Sequence, residues 1–78
     1  IVVAEVTSNL TFANDPACLF IDVSSPDGQA TGIVHDSVIS CLVLSTVYSS
    51  SVDRVLGSLS PALLQQLDEC LKTALGLP

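Results

Sequence analysis

The run from Ser60 to Pro78, SPALLQQLDECLKTALGLP, constrains the fold more than any other part of the chain. On a helical wheel Leu63, Leu64, Leu67, Cys70, Leu71, Ala74 and Leu75 share an arc of about 140°. Gln65, Gln66, Asp68, Glu69, Lys72 and Thr73 take the opposite side. Ser60 can accept from the unpaired N–H groups of the first turn, and Pro61 at the first helical position has no N–H to leave unpaired. Gly76 can adopt the left-handed conformation that stops a helix, and Pro78 prevents its resumption. Asp68 and Lys72, with the acid first, are spaced for an ion pair worth about 0.3 kcal/mol. A helix this amphipathic needs an apolar surface. Leu64, Leu67, Leu71 and Leu75 are expected to supply the contact, either within the chain or across a dimer.

At 78 residues there is room for one domain. A domain of this size buries only about 60–65% of the surface its unfolded chain exposes. With 49% hydrophobic and 13% charged residues, the surplus apolar surface points to a partner, and a second copy is the simplest one. No uncharged apolar run is long enough to span a membrane, and no basic segment suggests a secretion signal. The chain opens at Ile1 inside a strand-like run, which reads as a piece of a longer domain. A net charge of −6, with Arg54 and Lys72 the only Lys or Arg residues, argues against holding phosphates by charge alone. Cys18, Cys41 and Cys70 have no CxxC spacing and are odd in number. They read as buried hydrophobes in a reducing compartment rather than as metal ligands or disulfides.

Ile1 to Val6 is almost wholly apolar and β-branched, as expected of a central strand buried on both faces. It runs into Thr7-Ser8-Asn9, three small polar residues that suit a turn or a site. Asn9-Leu10-Thr11 matches a glycosylation sequon, which carries no weight without a secretion signal. Asn14-Asp15-Pro16 marks a loop. Cys18 to Val23 reads as a strand, with Leu19, Ile21 and Val23 on one face and Phe20 and Asp22 on the other. Ser24 to Asp36 reads as a loop holding a tight turn at Pro26-Asp27-Gly28.

His35, Asp36 and Ser37 are adjacent, so as neighbours at a strand start they cannot converge as a catalytic triad. Ser37 to Val47 is the longest strand, apolar on both faces and suited to a bent barrel position. Val52 to Leu59 has helical spacing but is short and carries Gly57, which fits a turn of helix followed by a short strand. Four strands and a terminal helix make a β-rich α+β domain, a small barrel or curled sheet closed by the helix.

VVAEVTSN at residues 2–9 resembles the strand and threonine-bearing turn of the MazF/PemK toxin family, which reads like VVPVTSN. DSVISCLVLSTVYSSSVDRVLGSLSPALLQQLDECLKTALGL at residues 36–77 resembles that family's C-terminal half. The matching features are a DSV strand start at Asp36-Ser37-Val38, a strand ending near Thr46, an IGRLS-like piece at Leu56-Gly57-Ser58-Leu59-Ser60, and an amphipathic helix ending in LGL. The stretch from Thr11 to His35 diverges.

The resemblance implies a small SH3-like barrel of the MazF/Kid/CcdB kind, assembled as a homodimer in the bacterial cytoplasm. It implies a toxin of a toxin–antitoxin system that cuts single-stranded mRNA without metal or cofactor, and an antitoxin peptide that blocks its RNA groove. The expected reaction is attack of a ribose 2′-hydroxyl on its neighbouring phosphate, which needs proton transfer and stabilisation of charge on the phosphoryl oxygens. The family's turn threonine assists the second task and corresponds to Thr7, with Ser8 and Asn9 beside it in RNA contact. The family's GDVW-like strand and its principal arginine have no counterpart in these residues, and Ser45 stands where an arginine is common. The chain is therefore expected to lack the family's N-terminal strands and to be a poor nuclease as it stands. The alternatives are a non-catalytic relative that dimerises or binds an antitoxin, and a generic barrel used as a structural module.

Overall fold

The computed structural model describes residues 1–52 and 54–77. The elements are β1 (Val2–Thr7), β2 (Cys18–Ile21), α1 (Pro26–Ala30), β3 (Ser37–Thr46), a 3-10 turn (Ser49–Ser51) and α2 (Pro61–Leu75). β3 lies at the centre of a three-stranded antiparallel sheet of order β1-β3-β2. The fold is a small α+β arrangement with the C-terminal helix laid on one face of that sheet.

β3 is central because it is the one strand long enough to pair along both its edges. β1 pairs along it from Val2↔Thr46 to Ala4↔Leu44, then skips to Glu5↔Ser40, leaving Cys41, Leu42 and Val43 opposite no partner. An insertion of this kind bends and twists a strand. β3 is thereby divided: Ser37, Val38, Ile39 and Cys41 are buried, whereas Leu42 to Thr46 are exposed. The expectation of an apolar strand buried on both faces holds only for the first half.

The helix-side core joins Leu19, Ile21, Ile39 and Cys41 of the sheet to Leu63 and Cys70 of α2, with Ala4, Ile33, Leu59, Leu67, Leu71 and Ala74 packed around them. Ile21 is 1% exposed. The alternation expected in the second strand is present, since Leu19 and Ile21 are buried while Phe20 is exposed. Val23 lies beyond the strand's end.

α2 begins and ends as the sequence dictates. The Leu63 N–H donates to Ser60 Oγ at 3.2 Å, Pro61 opens the first turn, and Gly76 adopts φ 70°. The apolar arc does not seat evenly. Cys70 and Leu63, at one edge, are buried; Ala74, Leu67 and Leu71, in the middle, are partly buried. Leu64 and Leu75, roughly 100–120° around the wheel from Leu63, remain 48% and 56% exposed. The ion pair on the polar face joins Lys72 to Glu69 at 3.6 Å, not to Asp68. Both groups are exposed, so it contributes little.

Three further expectations are corrected. β1 is an edge strand, not a central one, and Val2 is 68% exposed. A β-branched apolar run satisfies an edge position as well as a buried one, and here no element covers its second face. The Ser24–Asp36 stretch is not all loop: α1 forms there because the Gly28 N–H donates to Ser25 Oγ at 2.9 Å and Pro26 preorganises the first turn. The same Ser-Pro signature opens α2. Between Val52 and Leu59 the described residues form no fourth strand, and the helical turn falls earlier, at Ser49–Ser51. Segment 54–59 instead packs irregularly against the end of α1, where the Ser58 N–H donates to the Ala30 carbonyl at 3.2 Å. Asp53 and Pro78 lie outside the described residues.

Candidate nucleic-acid interface

β1 delivers Thr7 to the far end of the sheet, opposite Val38 of β3. The chain then turns locally. The Asn9 N–H donates to Thr7 Oγ1 at 3.1 Å, and Asn9 Oδ1 in turn accepts from the Thr11 N–H at 3.1 Å and from the Thr11 hydroxyl. Each bond closes a short side-chain-to-backbone ring, which is why Thr and Asn favour such turns. Thr7 Oγ1 is thus held as an acceptor, and its own proton remains available for an outside acceptor.

Thr7 is half-buried in a cleft of about 310 Å³ on the sheet face away from α2. Val38 forms part of its lining, with Asn9, Phe12, Ser40 and Leu42 around it and Glu5 beside Thr7 on the same strand face. Glu5 and Phe12 were not anticipated from the sequence. Glu5 lies two residues before Thr7 and so shares its side of the strand, a signal that was legible. Phe12 comes from the following turn, which only the folded chain brings back over the sheet.

The three residues of the Thr-Ser-Asn corner do not share one site. Strand alternation separates Ser8 from Thr7 and Asn9 and puts it in a second cleft, of about 330 Å³, together with His35 and Arg54. The Thr7 cleft therefore carries the hydroxyls of Thr7 and Ser40, an amide and a carboxylate, while the Arg54 guanidinium and the His35 imidazole lie on the other side of the strand.

The His35-Asp36-Ser37 group is taken up by local structure. Ser37 Oγ donates to the His35 carbonyl at 2.7 Å, and Asp36 Oδ1 accepts from the Val23 N–H at 3.0 Å. Cys18, Cys41 and Cys70 are buried free thiols. Burial pushes the Cys41 and Cys70 thiols up from their ordinary range, which keeps them protonated and unreactive. Among the described residues no cluster of His, Cys, Asp or Glu is arranged to hold a metal ion, and no helix is long and apolar enough to cross a membrane.

Fold and site together define a small α+β domain with an uncovered sheet face, a hydroxyl-bearing cleft at the end of its edge strand, and a helix whose apolar arc is half used. No model of a known protein family matches the sequence, and no curated protein matches it.

Proposed function

We propose that the chain is a MazF/PemK-like module of a bacterial toxin–antitoxin pair, with a sheet of the SH3-like barrel class and a Thr7 cleft turned toward single-stranded RNA. The observation that supports this reading is the Thr7 hydroxyl. It sits in a cleft at a strand end, it is anchored as an acceptor by the Asn9 N–H, and its proton is free to donate. In the reaction a ribose 2′-oxygen attacks the adjacent phosphorus, the 2′-proton leaves to a base, and the bond to the 5′-oxygen breaks as that oxygen takes up a proton from water. The products are a 2′,3′-cyclic phosphate and a 5′-hydroxyl end. Thr7 would donate to a non-bridging oxygen as charge gathers on it. Asn9 would contact the same strand of RNA, and Ser8 would do so from the neighbouring cleft. The proposed setting is a cytoplasmic homodimer controlled by an antitoxin peptide.

One feature of the cleft favours the non-catalytic alternative, a relative that dimerises or captures an antitoxin. Glu5 stands beside Thr7 on the strand face, and among the described residues no Lys or Arg lines that cleft. A carboxylate repels phosphate, and charge stabilisation there would have to come from elsewhere.

Incubation with mixed single-stranded RNA in EDTA separates the two. If the chain is a nuclease, the wild-type protein cuts, and Thr7→Ala cuts about a hundredfold more slowly with an unchanged circular-dichroism spectrum. Equal cutting by both proteins would remove Thr7 from the site. No cutting by the wild-type protein would leave the binding module.

A further inference from the structure

The second cleft, across β1 from Thr7, has the composition that the first lacks. Ser8, His35 and Arg54 line it together with the apolar walls of Val6, Ile33 and Leu56. The chain carries eight acids against two cations, yet among the described residues none that lines this cleft is acidic. The other cation, Lys72, is paired with Glu69 on the exposed face of α2. Among the described residues no hydrogen bond engages the Ser8 hydroxyl, the His35 ring or the Arg54 guanidinium.

The walls are built in advance. Gly32 has φ +77°, and a Cβ placed there would fall 2.3 Å from the Leu56 carbonyl oxygen. A Cβ on Gly57 would fall 2.5 Å from the Ala30 carbonyl oxygen. Backbone therefore lies directly on backbone where the segment after Arg54 meets the end of α1, and the Ser58–Ala30 hydrogen bond clips the two together. The Ser37–His35 hydrogen bond fixes the backbone at His35, which also lines the cleft. A ligand entering such a cleft has little loop ordering to drive.

We propose that this cleft is a phosphate-binding site held by Arg54, His35 and Ser8. A carboxylate is satisfied by one planar guanidinium fork. Three donors of different kinds on separate segments suit the larger tetrahedral set of acceptors on a phosphate. The site rests on the RNA-facing reading only for what carries the phosphate; on that reading it holds a backbone phosphate next to the one at Thr7.

The test is a titration of the full chain with sodium phosphate at constant ionic strength, followed through backbone amide resonances. The expected result is a saturable shift at Ser8, Ile33 to His35 and Arg54. Arg54→Gln should weaken the affinity about tenfold or more, with Arg54→Lys falling between because it lacks the fork. Arg54 is exposed, so the substitution leaves the remaining resonances in place. No saturable shift, equal affinity in Arg54→Gln, or acetate binding as tightly as phosphate would each overturn the proposal. Phosphate binding without RNA cleavage would remove the nuclease and keep the cleft. Thr7-dependent cleavage without a phosphate response would do the reverse.

Discussion

Leu71 and Leu75 belong to the same apolar arc of α2, yet the fold treats them differently, and an aspartate at each should expose the difference. Leu71 packs against the core and lines an apolar slot with Cys41, Leu44 and Leu67. Full burial of a leucine is worth about 1.5–3 kcal/mol, so a partly buried one loses about half of that on replacement. A carboxylate facing Cys41 and Leu44 adds about 1–3 kcal/mol for a polar group without a partner. Leu71→Asp should therefore cost about 2–4 kcal/mol, out of the roughly 4–12 kcal/mol expected for a domain of this length. Leu75, already exposed, should lose no more than about 0.5 kcal/mol. Urea unfolding followed by circular dichroism measures both, and at a slope near 1 kcal/mol/M the Leu71→Asp midpoint should fall by about 2–4 M. Equal midpoints for the two variants would refute the seating of the helix described above. Sedimentation of the same proteins addresses the partner: a wild-type dimer that Leu75→Asp or Leu64→Asp turns into a folded monomer places the outer edge of the arc in the interface. A wild-type monomer removes it.

Two further outcomes follow from local geometry. Gly57→Ala sets a methyl group against the backbone of Ala30 and Thr31, which cannot move aside as a side chain could. A cost of about 1–3 kcal/mol should lower the melting temperature by about 4–8 °C or more, and an unchanged value would contradict the close approach. Asp22 accepts from the hydroxyl and N–H of Ser24, and these bonds hold its carboxyl below the ordinary 3.8. A depressed pKa contributes stability that is present above the unfolded value and is lost as pH falls through the folded one. In Ser24→Ala the Asp22 titration, followed by carboxyl carbon resonances, should move up toward the ordinary value. No movement would show that the hydroxyl is not the main cause.

Where local chemistry dominates, the sequence was an adequate guide. The α2 caps, the turn at Thr7 to Asn9, and the alternation of Leu19, Phe20 and Ile21 all follow from groups within a few residues of one another. The Ser25-Pro26 start of α1 is equally local, but with Gly28 so close behind it the same residues suit a tight turn as well as a helix. The candidate site was legible only in part. Thr7, Ser8 and Asn9 stand out together as a polar corner after an apolar run, but that Ser8 lies in a different cleft from the other two, and where Phe12 and Arg54 fall, depend on chain that returns from elsewhere.

What the sequence determined by itself was therefore periodic and short-ranged: a capped amphipathic helix, strands with a 2-residue period, and an excess of acid over base. Which strand lies at the centre, which face stays bare, and which side of the corner holds Arg54 were decided by tertiary pairing alone. An apolar β-branched run such as Val2 to Val6 suits an edge as well as a centre, since the cost of leaving a face uncovered depends on what else is there to cover it. The skip in pairing after Ala4 and the one-sided seating of α2 settle those questions, and both arise from contacts between segments far apart in the chain.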